Sequence, residues 1–419
     1  MGGFKNKKMF KKISPKTKIL LLGIFILAVA AGITVSCFTA RSSVDQLAEL
    51  NFKYGLVAAQ PLDHLADAQE VSLFKPAFLQ ADLVGSVKPQ QDLIVSLKAD
   101  NSDDLLQHIL LLKLRTGEDI KQVAEAYQNS PIVQTAEPNF DLKIDPAAEP
   151  TAEVSTELEA PASVPAETAV QEPQPVLVAV VDSGVDITHP DLVGRTEPGW
   201  NFLNQSSDVT DSDGHGTHTA GIILRNSLAA KILPLKISDG ATGKMSELVA
   251  AIKFAADHDV QVINLSLGLP HESAILHEAI DYARAKNVLI VAAAGNYNTG
   301  AEFFPAAWPE VFGVAALGKN GSKLFLSNFG EWVDCSVMAQ DVYAPAPGGK
   351  YAYRTGTSEA APVVSAKIAD LLSTATGPMS FVDVNNFLLQ NSEPIVSRYS
   401  LGRRILAVGE QAPVESLSR

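Results

Sequence analysis

Residues 176–409 predict an α/β fold, a doubly wound, mostly parallel sheet flanked by helices, and residues 90–144 predict a small α+β domain ahead of it. Three observations carry this. Uninterrupted apolar runs of strand length occur at Val176–Val181, Ile232–Ile237, Val260–Leu267 and Val288–Ala293, as expected for strands covered on both faces. Helical patterns separate them, including Ser246–Asp257 and Glu272–Lys286. Such alternation implies parallel strands joined by helical crossovers. The chain also has 419 residues, 46% of them hydrophobic, enough for one large core and smaller parts. Only 7% are aromatic, so packing rests on Val, Ile, Leu and Ala.

The elements follow in order. In residues 1–40, seven lysines between Lys5 and Lys18 precede an uncharged run from Ile19 to Phe38. About twenty apolar residues suffice to cross a bilayer as a helix, and a basic flank stays cytoplasmic. The segment therefore predicts contact with a membrane and an extracytoplasmic remainder. Three fates are open: an uncleaved anchor, cleavage near Ala28–Ala30, or a lipid on Cys37. Residues 41–89 carry no motif. In 90–144, Asp92–Lys98 and Ile109–Leu114 read as strands. Ile120, Val123, Ala124 and Tyr127 have helical spacing, and Ile132–Phe140 is extended. Residues 145–175 are rich in Pro, Ala, Glu, Thr and Val, with no Lys or Arg. Such a composition buries too little surface to fold and reads as a linker. Residues 410–419 are a tail.

The net charge of −14 is poorly suited to neutralising phosphates, which argues against a nucleic-acid partner. Cys37 and Cys335 are the two cysteines. They form no disulfide framework and no zinc spacing, and Cys335 reads as a buried thiol on a strand over Trp332–Val337.

In parallel sheets the ligand crevice lies beyond the carboxyl ends of the strands, and three motifs fall there. Asp182 follows the first strand in Asp182-Ser183-Gly184. His215 opens a helix in His215-Gly216-Thr217-His218. Ser358 opens another in Gly356-Thr357-Ser358. Each alone is a weak signal, but Asp, His and Ser in this order on one α/β pattern match a hydrolytic triad. A serine hydroxyl needs a general base to become a nucleophile at neutral pH, and the base needs a partner that fixes its tautomer.

On these motifs, residues 176 to about 409 resemble the subtilase catalytic domain. The resemblance implies a serine endopeptidase with Asp182, His215 and Ser358 as the triad and Asn296, in Ala293-Ala294-Gly295-Asn296, as the oxyanion-hole amide. It also implies that Ser266, Leu267 and Gly268, in Asn264–Gly268, line the substrate. Residues 90–144 are similar to subtilase propeptides through Val133, Ala136, Glu137, Pro138 and Asn139. This implies an intramolecular inhibitor, a proenzyme, and protein or peptide substrates. His218, one turn after His215, is expected to pack or hydrogen-bond. His189-Pro190-Asp191-Leu192 resembles a turn that contributes to calcium binding in some members. Here Gly221–Ile232 lacks the acidic insertion that completes such a site, so no cofactor is expected, and calcium stays open only as an ion bound without its usual loop. Asp208, Asp211 and Asp213 read as a solvated loop. Glu359 stands where many members carry Met. The competing readings are a catalytically silent subtilase-fold module that binds through its cleft, and a nucleotide-binding domain. The latter lacks a glycine-rich phosphate loop.

Overall fold

The computed structural model describes residues 59–61, 92–97, 109–113, 119–130, 133–144, 174–240, 242–395 and 399–404. All of them lie in one compact unit, Tyr54–Arg419. The basic and apolar N-terminal segment, nearly all of 41–89, the linker 145–173 and the tail lie outside the described residues. Among the described residues, no helix is long and apolar enough to cross a membrane.

The first described elements are β1 (Ala59–Pro61), β2 (Asp92–Leu97), β3 (Ile109–Lys113), α1 (Ile120–Gln128) and β4 (Val133–Pro138). The strands form a sheet in the order β1-β3-β2-β4, antiparallel throughout. Asp119 caps α1 by accepting from Lys121 N at 2.9 Å. Val123, Ala124 and Tyr127 of α1 are buried. This is a small α+β unit as expected ahead of the large sheet, and β1 adds to it a strand from outside 90–144. β5 (Asp141–Ile144) then leaves that sheet and enters the neighbouring domain.

That domain begins with β6 (Val176–Asp182) and β7 (Trp200–Asn201). It continues through α2 (His215–Asn226), β8 (Ala230–Lys236), β9 (Thr242–Lys244), α3 (Met245–Asp257), β10 (Val262–Leu265), β11 (Leu267–Gly268) and α4 (Ala274–Ala285). β12 (Leu289–Ala293), β13 (Phe312–Leu317), β14 (Cys335–Met338), β15 (Val342–Ala346) and β16 (Lys350–Arg354) follow. α5 (Thr357–Thr374), α6 (Phe381–Gln390) and β17 (Arg403–Arg404) complete it. Eight strands form one sheet, β17-β14-β13-β12-β10-β6-β8-β7, and every pairing in it is parallel.

Alternation along the central strands separates the two faces. Val176, Val178 and Val180 join α2 and α5 in one core cluster. Ala179 and Val181 join α3 and α4 in another. The continuous apolar runs therefore serve two cores at once, and the doubly wound α/β fold is present as expected. One run is divided: Val260–Leu267 gives β10 and then β11. Ser266 separates them because its backbone and hydroxyl turn to the first turn of α5. Cys335 is buried on β14 and free; burial pushes its thiol pKa up.

Candidate active site

Asp182 ends β6 and His215 begins α2, and the fold brings their side chains together. His215 Nδ1 lies 2.8 Å from Asp182 Oδ1 and 2.9 Å from Oδ2. A carboxylate accepts only, so Nδ1 carries the hydrogen and Nε2 is left as the basic nitrogen. Nε2 is buried and has no hydrogen-bond partner. Burial opposes the charged imidazole. The Asp182 charge and hydrogen bond outweigh it and raise the His215 pKa to about 9.

The ends of these elements are fixed by a buried polar network. Asp211 accepts from Ser183 Oγ at 2.9 Å, from Gly214 N at 2.8 Å, and from Thr217 N and Oγ1 at 2.9 and 2.6 Å. Ser183 Oγ in turn accepts from Gly216 N at 3.0 Å. These bonds satisfy first-turn N–H groups of α2, which begins after Gly214 with no side-chain cap from that residue. A Cβ on Gly216 would sit 2.0 Å from the Gly184 carbonyl oxygen, so only glycine lets α2 approach the β6 turn this closely. Asp211 thus departs from the solvated loop expected of it: it is buried and bonded, and only Asp208 and Asp213 are exposed. Ser183, Asp211 and Thr217 are site-building residues that the motif reading passed over. The signal was their presence within the two motifs and just before the second.

Ser358 is the second residue of α5 and fully buried. Its Oγ donates to Ser266 O at 3.2 Å, not to His215. His215 Nε2 accepts no hydrogen bond from it, and bonds of this kind often tighten only with substrate bound. Pro362, inside α5, has no N–H for the Ser358 carbonyl four residues back. Ser266 Oγ fills that place by donating to Ser358 O at 3.0 Å. Asn264 Nδ2 donates to Ser266 Oγ at 3.0 Å, and Ser365 Oγ donates to Asn264 Oδ1 at 2.9 Å. This chain ties the first turn of α5 to the end of β10.

Asn296 follows β12. Its Oδ1 accepts from Thr357 N at 2.9 Å and Thr357 Oγ1 at 3.2 Å. The amide is thereby oriented, and its Nδ2 is buried without a partner. A buried amide donor held ready in this way suits a developing negative charge.

Leu267 and Gly268 form β11, which pairs antiparallel with β5 through Leu267–Ile144 and Gly268–Lys143. On its other edge β5 pairs with β9. An extended segment from the small domain therefore fills the slot between β11 and β9, starting one residue from Ser266. Leu142 on it is fully buried in the core shared with α3 and α4. Further contacts hold the small domain. Ser96 Oγ and Thr135 Oγ1 donate to Glu278 at 2.6 and 3.1 Å. Asn139 exchanges hydrogen bonds with Ser246, and Ser273 Oγ donates to Glu137.

His218 packs and bonds as expected, with Nε2 at 3.1 Å from Val342 O and 3.2 Å from Ala352 O. His189 Nε2 is 2.9 Å from Lys350 O. Among the described residues, His277, Asp281 and Glu310 are the one grouping whose donor atoms, all within 4.8 Å of one another, suit a metal. His277 is already engaged there, bonded to Glu310 and stacked on Trp308.

Residues 174–406 match the model of the Subtilase family. A thermophilic serine proteinase of Bacillus sp. (strain AK1) is 32% identical over 325 residues, which span 72% of this chain and 80% of that protein. A cell wall-associated protease of Bacillus subtilis (strain 168) is 37% identical over 232 residues, 52% of this chain and 26% of that protein. The crystal structure of a cold adapted subtilisin-like serine proteinase superposes with a TM-score of 0.53 at 27% identity, covering 57% of this chain and 90% of that one.

Proposed function

The chain belongs to the subtilase family and is a subtilisin-like serine endopeptidase acting on proteins or peptides, and from that premise we propose that Asp182, His215 and Ser358 are its catalytic triad. The observation that carries this is the buried His215, bonded to Asp182 through Nδ1 and unpartnered at Nε2, with Ser358 opening the adjacent helix. Ser358 Oγ attacks the peptide carbonyl while His215 Nε2 takes its proton. Asp182 stabilises the imidazolium. Asn296 Nδ2 and the Ser358 N–H hold the oxyanion. His215 then passes the proton to the departing amine, leaving an acyl-enzyme that water hydrolyses.

Ser266, Leu267 and Gly268 are proposed to bind the substrate backbone in the way β11 binds β5. The same pairing supports reading residues 90–144 as an intramolecular inhibitor and the chain as a proenzyme, cut within 145–175. The reaction as proposed uses no resident metal or cofactor in its chemical steps. The lysine-flanked apolar segment at 19–38, and the cell-wall association in the name of one relative, support export to the cell surface. They equally support membrane attachment or secretion after processing.

Casein hydrolysis by the purified chain tests the assignment. Ser358→Ala is expected to abolish it. Undiminished hydrolysis by that variant would remove Ser358 from the role of nucleophile. No hydrolysis by folded wild type would favour a silent binding module.

A further inference from the structure

The helices that deliver His215 and Ser358 meet at a second point. His218 lies one turn after His215 on α2, and Glu359 directly follows Ser358 on α5. Both are buried. His218 Nε2 faces two backbone carbonyl oxygens, Val342 O and Ala352 O. Carbonyl oxygens only accept, so Nε2 carries hydrogen, and Nδ1 of the neutral ring is a bare lone pair. That nitrogen lies 3.7 Å from Glu359 Oε1. Neither His218 Nδ1 nor Glu359 Oε2 has a hydrogen-bond partner.

Exactly where a proton resides on this pair follows from the surroundings. A second proton on His218 would make a buried cation near Arg354 and His215. Burial first, then those two groups, push its pKa down to about 3. An ionised Glu359 would set a carboxylate against a lone pair with one oxygen unsatisfied, a costly buried charge. Burial raises the Glu359 pKa, with His215 and Arg354 opposing and Asp182 adding to the rise. A protonated Glu359 resolves both problems, since its O–H has an acceptor in Nδ1 once the gap closes by about 0.8 Å to ordinary hydrogen-bond length.

We propose that Glu359 carries the proton that His218 Nδ1 lacks, and that the resulting O–H···N link positions Ser358 against His215. The link joins the first turns of α2 and α5 directly, so a displacement of Glu359 moves its neighbour Ser358 relative to the base. The inference rests on Ser358 and His215 being the reacting pair, which casein hydrolysis by Ser358→Ala tests separately.

The experiment compares three full-length chains in peptide hydrolysis. Glu359→Ala is expected to lower kcat about 30-fold with KM changed less than about threefold, since small misplacements of reacting groups act on turnover. Glu359→Gln is expected to recover most of that loss, because its amide N–H donates to the same lone pair. A Gln variant no better than Ala, or an Ala variant equal to wild type, overturns the proposal. Nitrogen-15 NMR of His218 in the Ser358→Ala chain gives an answer independent of how those variants fold. A neutral ring with hydrogen on Nε2 is expected, and an imidazolium or a hydrogen on Nδ1 overturns it.

Discussion

In the proposed triad, Asp182 and His215 set the pH at which Ser358 becomes a nucleophile. Only the neutral imidazole accepts the serine proton, and against the effect of burial the Asp182 charge and hydrogen bond raise its pKa. The acid limb of kcat/KM is therefore expected well above the ordinary histidine value of about 6.5. Asp182→Asn should move that limb to lower pH and reduce kcat/KM by about 10⁴-fold; an unmoved limb in the pH–rate profile would contradict the coupling. In the proposed mechanism Asn296 acts later. Its Oδ1 is held by Thr357 and its buried Nδ2 has no hydrogen-bond partner. Asn296→Ala is expected to cost about 10²–10³ in kcat with little change in KM, measured by steady-state hydrolysis. A change confined to KM would place Asn296 in ground-state binding instead.

Elements meet at contacts that sequence motifs mark without explaining. Gly221 on α2 faces the Pro345 ring of β15, where an added Cβ would lie 2.2 Å from the ring carbon Cδ. In the inactive Ser358→Ala chain, Gly221→Ala is expected to destabilise by about 1–3 kcal/mol through overpacking. An unchanged thermal midpoint would show that the two elements separate freely. The seam between the small domain and α4 carries a half-buried carboxyl, Glu278. Burial raises the Glu278 pKa against the hydroxyls of Ser96 and Thr135, which lower it. A carboxyl with a raised folded pKa binds more protons folded than unfolded. Its contribution is full below the unfolded pKa and is lost as pH rises through the folded one. Glu278→Gln should therefore flatten the fall of the thermal midpoint above the ordinary carboxylate range; an identical slope in both chains would exclude Glu278 as its source. These contacts also mark where sequence reading stops. Strands with two apolar faces, helices at 3.6-residue spacing and the three motifs were legible because each is a local pattern. The division of Val260–Leu267 was not, because Ser266 turns away toward a residue 92 positions later. The burial of Asp211 was missed for a related reason: its acceptors serve N–H groups exposed only once α2 begins.

At the scale of the whole molecule, the parts describe an order of events. Basic charge is concentrated before residue 19, and the linker 145–175 has none. Just before the linker, β5 occupies the slot between β11 and β9, so the small domain and a substrate bound as proposed cannot both fill it. Ser358 is proposed as the nucleophile with which the enzyme removes this domain from its own chain. The intact mass of residues 41–419, followed over time beside the Ser358→Ala variant, tests it most directly. The account predicts that wild type falls to a fragment beginning near Val176 while the variant stays full length. Both chains remaining intact, folded and unable to cleave casein would contradict it.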